Sequence, residues 1–144
     1  MTYNQLVTTL QSLLQSHAMI KTVKHTTPKE WLQRESQIIY PAATFSINNG
    51  SLNVGAEQVY SVQFFFLDKS GLEAEYEQDV TSDQLQIASD IVNYLRIGSN
   101  DFFIDDSITF NCISDKYEDY LAGVEFTINI TTQSDFSACD APII

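Results

Sequence analysis

The sequence predicts an α+β domain: a single antiparallel or mixed β-sheet with two amphipathic helices packed on one face. Three observations carry this. In VEFTINI, residues 124 to 130, Val124, Phe126, Ile128 and Ile130 alternate with Glu125, Thr127 and Asn129, the two-residue period of a strand with one apolar and one polar side. Between Tyr3 and His17, the residues Leu6, Val7, Leu10, Leu13 and Leu14 recur at three- and four-residue spacing, the stripe of an amphipathic helix. Leu85, Ala88, Ile91, Val92 and Leu95 repeat that spacing. Hairpins imply the antiparallel or mixed sheet, and two such helices suffice to cover one of its faces.

The first helix spans Tyr3 to His17, capped by Thr2 or Asn4, whose side-chain oxygens accept from orphan amides of the first turn. Val23, among threonines, reads as a short edge strand, and Pro28 breaks what precedes it. KEWLQRESQII, residues 29 to 39, is either one helical turn or an ordered loop. Tyr40 to Ile47 alternates as a strand and stops at Asn48-Asn49-Gly50, a hairpin turn because these residues tolerate positive φ. The next strand begins near Ser51 and runs through EQVYSVQFFFLD, with Tyr60, Val62, Phe64 and Phe66 on one side and Phe65 and Leu67 on the other. Apolar residues on both sides predict a central strand covered twice. Glu73, Glu75, Glu77 and Asp79 alternate in GLEAEYEQDV, and an extended segment would set all four on one face. VTSDQL, residues 80 to 85, reads as a helix start, with Thr81 and Gln84 as a capping box and Val80 and Leu85 as a hydrophobic staple. Gly98 terminates that helix behind Arg96. Two strands follow, Ser107 to Ile113 and Leu121 to Thr131, joined by the acidic turn SDKYED. Residues 1–133 are thus expected to form a single domain, and 134–144, which lack any period, a C-terminal extension that trails over the surface or onto a partner.

A chain of 144 residues with 44% hydrophobic content buries one core without staples. Nineteen acids against seven bases give −12, and the charge is unevenly placed. Residues 1–56 hold Lys21, Lys24, Lys29 and Arg34 against Glu30 and Glu35, a surplus of two positives, which leaves −14 for the remainder. That remainder repels phosphate backbones and anionic lipid and favours partners with basic patches. Cys112 and Cys139 lie far apart with no CxxC, which fits a reduced compartment, and Cys112 inside an apolar strand reads as a small core residue. The opening MTYNQLVTTLQSLLQSH has neither a basic region nor a long apolar run, so no signal peptide is expected.

No residue pattern calls for catalysis, a cofactor or a metal. The acids Asp105, Asp106, Asp115, Glu118 and Asp119 gather in turns, where solvation explains them, instead of converging across a cleft as paired-acid chemistry requires. NDFFIDDS lacks the ligand spacing of a calcium loop, and His17 and His25 have no carboxylate at a motif spacing. The candidate residues are those of a contact surface. Glu73, Glu75, Glu77 and Asp79 form either an acidic face that a basic partner would neutralise or a solvated edge guarded against aggregation. Asp115, Glu118 and Asp119 form the acidic turn, Phe136 is an apolar residue of the extension, and Trp31 with Arg34 carry types enriched at interfaces. Core packing is the competing reading of Trp31.

The order of parts resembles a family. A helix, the strand YPAATF leading to an Asn-Gly turn, a long strand ending in Asp68, an acidic link, the helix TSDQLQIASDIVNYLR, then a strand, an acidic turn and DYLAGVEFTINI look like the neck and tail-connector proteins of tailed bacteriophages. The pattern is most similar to small ring-forming virion proteins of crAss-like phages, which share a general architecture with tail terminators. The resemblance spans residues 1 to 140, most closely 40 to 132, and has no invariant catalytic motif. It implies a structural, non-enzymatic subunit in the virion neck or tail, repeated in a ring between portal and tail. Its partners would be copies of itself and neighbouring neck proteins, with DNA passing through unbound and no membrane contact. Two readings stand against it: an acidic module that mimics DNA, and a small α+β hydrolase supported only by the number of acids.

Overall fold

The computed structural model describes residues 1–34, 38–71, 74–97, 101–114 and 120–133, with the backbone alone at 74 and 75. It is α+β, with one mixed sheet of six strands and three helices. The elements run α1 (Tyr3–Ser16), β1 (Thr22–Lys24), α2 (Pro28–Arg34), β2 (Ala42–Asn53), β3 (Glu57–Lys69), α3 (Ala74–Ile97), β4 (Phe102–Ile104), β5 (Phe110–Ser114) and β6 (Leu121–Gln133).

The strand order is β1-β2-β3-β6-β4, with β5 also on the outer side of β6. Only the β1–β2 pair is parallel. β3 is central, as its two apolar sides predict, pairing with β2 through Phe45↔Phe64 and with β6 through Phe64↔Phe126. One side of the sheet gives Phe45, Val62, Phe64, Phe66, Val124, Phe126, Ile128 and Ile130 to the main core, which also takes Leu6, Leu10 and Leu14 of α1 and Ile87, Ala88, Ile91 and Leu95 of α3. Four phenylalanine rings form its centre: Phe64 lies 6.2 Å from Phe45, 6.4 Å from Phe66 and 5.4 Å from Phe126, within the range of favourable aromatic pairs. The opposite side carries a smaller cluster of Phe65, Leu67, Ile113 and Leu121, against which Leu32 of α2 and Tyr40 pack.

Thr2 caps α1: its hydroxyl accepts from Gln5 N–H at 3.2 Å, and Gln5 Oε1 accepts from Thr2 N–H at 2.8 Å. Of the two alternatives for residues 29–39, the helical one holds for Pro28–Arg34.

Three local expectations are corrected. Asn48-Asn49-Gly50 is not the hairpin turn: β2 continues through it to Asn53, with a bulge between Ile47 and Asn49. Val54-Gly55-Ala56 turn the chain instead, with Gly55 at φ 81° and Ala56 at φ 62°. Gly50 serves close approach, since a Cβ there would stand 2.2 Å from the Val59 carbonyl oxygen. Next, α3 begins at Ala74, not near Thr81, so the box residues lie inside a helix and Gln84 is buried. The segment before Thr81 is rich in Ala, Glu and Gln, good helix formers, and its acids complement the positive end of the helix dipole. Finally, the sequence before β5 holds a separate strand, β4, and β5 starts later than the alternation predicts.

Candidate interaction surface

Helical geometry breaks up the acidic face expected at residues 73 to 79. At 100° per residue, positions two apart point to nearly opposite sides. Within α3, position 75 stands one turn before Asp79, while Glu77 lies on the other side and is partly buried. Glu73, Asp115, Glu118, Asp119 and Phe136 fall outside the described residues. Trp31 is 3% exposed, which makes it a core residue within its own chain and not an exposed anchor. Arg34 is exposed in the last turn of α2.

A different surface emerges. Tyr76, Asp79, Asp83, Gln86, Asp90, Tyr94 and Ile97 recur every three or four residues along α3, on one flank of the face that buries Ile87, Ala88, Ile91 and Leu95. Tyr76 and Tyr94 are exposed on a stripe whose middle is acidic. Aromatic residues beside carboxylates suit a partner that brings Arg or Lys over a ring and onto an acid. The helical spacing was available in the sequence, but a helix beginning at Thr81 hides its first two turns.

At the far end of the stripe, α3 is tied to α1. His17 Nε2 lies 3.0 Å from Asp90 Oδ2, and His17 Nδ1 accepts from the Met19 amide at 3.1 Å. An accepting Nδ1 leaves the ring proton on Nε2, so neutral His17 donates to Asp90. Gln86 Nε2 also donates to Asp90, at 3.2 Å. The hydrogen bond from His17, with help from Gln86, holds the Asp90 carboxyl below the usual carboxylate range. Asp68, at the end of β3, moves the other way: burial raises it, with Asp83 adding to the rise, against the Lys69 amide that donates to it.

The surface hollows offer little chemistry. One of about 530 Å³ is lined by Leu13, His17, Asp90 and Tyr94. Another, of about 240 Å³ between α3 and β5, is apolar apart from Arg96, Ser89 and Asn93. A third, of about 280 Å³, lies between Tyr3 and the β2–β3 hairpin. None of the three has two carboxylates in its lining. Among the described residues no three His, Cys, Asp or Glu side chains gather to hold a metal ion, and no helix is long and apolar enough to cross a membrane. Cys112 is a free thiol and exposed, which corrects its reading as core. It sits on an edge strand, opposite Val124 of β6.

Charge divides between the two sides of the sheet. α2, which packs by Leu32 on the smaller cluster, holds Lys29 and Arg34 against Glu30. α3, on the main core, holds Glu75, Glu77, Asp79, Asp83 and Asp90 against Arg96. Compared with protein-family models and with curated proteins, the sequence matches none.

Proposed function

We propose that the chain is a structural subunit of a tailed-bacteriophage neck or tail, assembling with its own copies into a ring around the DNA channel. In this reading α1 and α3 form the cover of one sheet face, as the tail terminator-like pattern implies, and no bond is made or broken. The observation that carries it is the opposition of charge between α2 and the α3 stripe. A ring is closed by heterologous contacts, in which one patch meets a different patch on the next copy. Lys29 and Arg34 of one subunit against Asp79 and Asp83 of the next make such a pair, with Tyr76 and Tyr94 giving it apolar area. The acidic remainder of the chain would keep DNA from adhering in the channel, because it offers few cations to phosphate.

Charge exchange tests this. Purified protein is examined by light scattering and negative-stain imaging as Lys29→Glu/Arg34→Glu, as Asp79→Lys/Asp83→Lys, and as all four together. Each pair is expected to weaken assembly roughly tenfold or more, and the combined variant to recover it. Rings indifferent to both pairs would exclude this contact. A second reading, a DNA mimic, draws on the rise of roughly 6 Å between Asp79 and Asp83 along the helix. A stable monomer that displaces DNA from a basic protein would establish it in place of the ring.

A further inference from the structure

β2 presents a long unpaired edge. β1 lies against only Ala42, Ala43 and Thr44, while β2 runs to Asn53 and pairs with β3 on its inner side. Of its twelve residues, the nine from Phe45 to Asn53 have no strand beside them among the described residues. Such an edge offers outward N–H and C=O groups to any strand that approaches, and proteins guard it with charge, proline or a bulge. Here the guard is weak. From Ser36 to Ala56 the sequence has no Asp, Glu, Lys or Arg, in a chain with nineteen acids and seven bases. A single bulge at Asn48 remains. Beyond it Asn49 to Ala56 are exposed, with Leu52 at 85% and Val54 at 100%.

We propose that this edge pairs with the same edge of a second copy, antiparallel, across a two-fold axis near Asn49. The outline of the sheet is self-complementary for that arrangement. β1 forms a step at the start of β2, and the recess beyond it runs to the hairpin turn. Two copies related by a two-fold lay each β2 in the other's recess, so the turn at Val54 of one meets β1 of its partner. Isologous contacts have this form, one patch serving both sides, and strand addition supplies main-chain hydrogen bonds along the seam. Charge favours it as well. Two chains of −12 meet along a stretch with no charge of its own, and the lysines of the two β1 ends, Lys21 before the strand and Lys24 at its last position, stand at opposite ends of the seam, roughly 30 Å apart for nine extended residues. The other free strands fit the recess less well: β4 has three residues and β5 five. The pairing does not rest on the ring reading.

Self-cross-linking decides it, because only a two-fold brings a residue against its own copy. In a Cys112→Ser/Cys139→Ser background, Asn48→Cys, Asn49→Cys and Ser51→Cys are introduced singly, with Ser107→Cys on the opposite edge as control. Under mild oxidation at micromolar protein, one of the three is expected to give a disulfide-linked dimer and the control none. In the unlinked protein, Asn49→Lys is expected to raise the dimer dissociation constant roughly tenfold or more. No self-linkage at any of the three positions, or a dimer unaffected by Asn49→Lys, overturns the proposal. Charge exchange between α2 and α3 has no bearing on this result, so either reading can fail alone.

Discussion

The two ends of strands β2 and β3 are made of the same ladder and differ in what covers them. At one end, Phe64 to Leu67 are buried on both sides, between the aromatic core and the smaller cluster under α2. At the other, Asn48 to Ala56 are exposed throughout. Backbone pairing alone therefore does not decide where a sheet is stable; side-chain cover does. The buried end carries the fold, and the open end is free to meet another molecule.

Substitution at matched positions gives the largest contrast. Phe64→Ala should cost roughly 3–5 kcal/mol in urea denaturation, since it removes a fully buried ring, whereas Leu52→Ala should stay within about 0.5 kcal/mol in the monomer. Hydrogen exchange should follow the same division, with amides of Asn49 to Gln58 opening well before those of Val62 to Phe66. Equal protection in a monomeric sample would show that the hairpin has cover within its own chain.

Thr44 lies in the buried end, opposite Phe65. Among the described residues its hydroxyl is buried with no hydrogen-bond partner, as are the Ser46 hydroxyl and the Trp31 indole N–H. Thr44→Val keeps the shape and removes the unpaired group, so it should raise stability by about 1 kcal/mol. A loss of similar size would reveal a partner for the hydroxyl.

Two rim carboxylates should give smaller, pH-dependent effects of opposite sign. Asp68 is raised by burial, so the stability it contributes is present below its ordinary value of 3.8 and lost as pH rises through its folded value. Asp68→Asn should therefore raise the melting temperature at neutral pH, and the gain should vanish in acid. Asp90 is lowered by His17; its contribution is present above 3.8 and lost as pH falls through the folded value. Asp90→Asn should lower the melting temperature slightly at pH 6 and leave it unchanged in strong acid. The effect is the smallest because the Asp90 side chain is half exposed and solvent screens the bond.

Much of the buried end was legible in the residues. The alternation in β6, the doubly apolar half of β3 and the leucine stripe of α1 each name their own inward residues. The open surface was less legible. Asn48-Asn49-Gly50 and Val54-Gly55-Ala56 both contain turn formers, and nothing local ranks one above the other. Glu75, Glu77 and Asp79 alternate, yet α3 runs through them, because Ala, Glu and Gln are good helix formers and an alternation of charges is by itself no strand signal. Trp31 lies under cover, one of the two readings its sequence allowed, and Cys112 on an edge where its strand pattern predicted core; residue type records neither position.

The sequence by itself determined the class of fold, the central strand and the apolar set of the main core, because side-chain periods of two and near 3.6 are local properties of the backbone. Only the tertiary structure decided where β2 turns, where α3 begins, which acids share a face and which edge stays unpaired. Those depend on what lies across the sheet from a residue, at separations along the chain that no local pattern encodes.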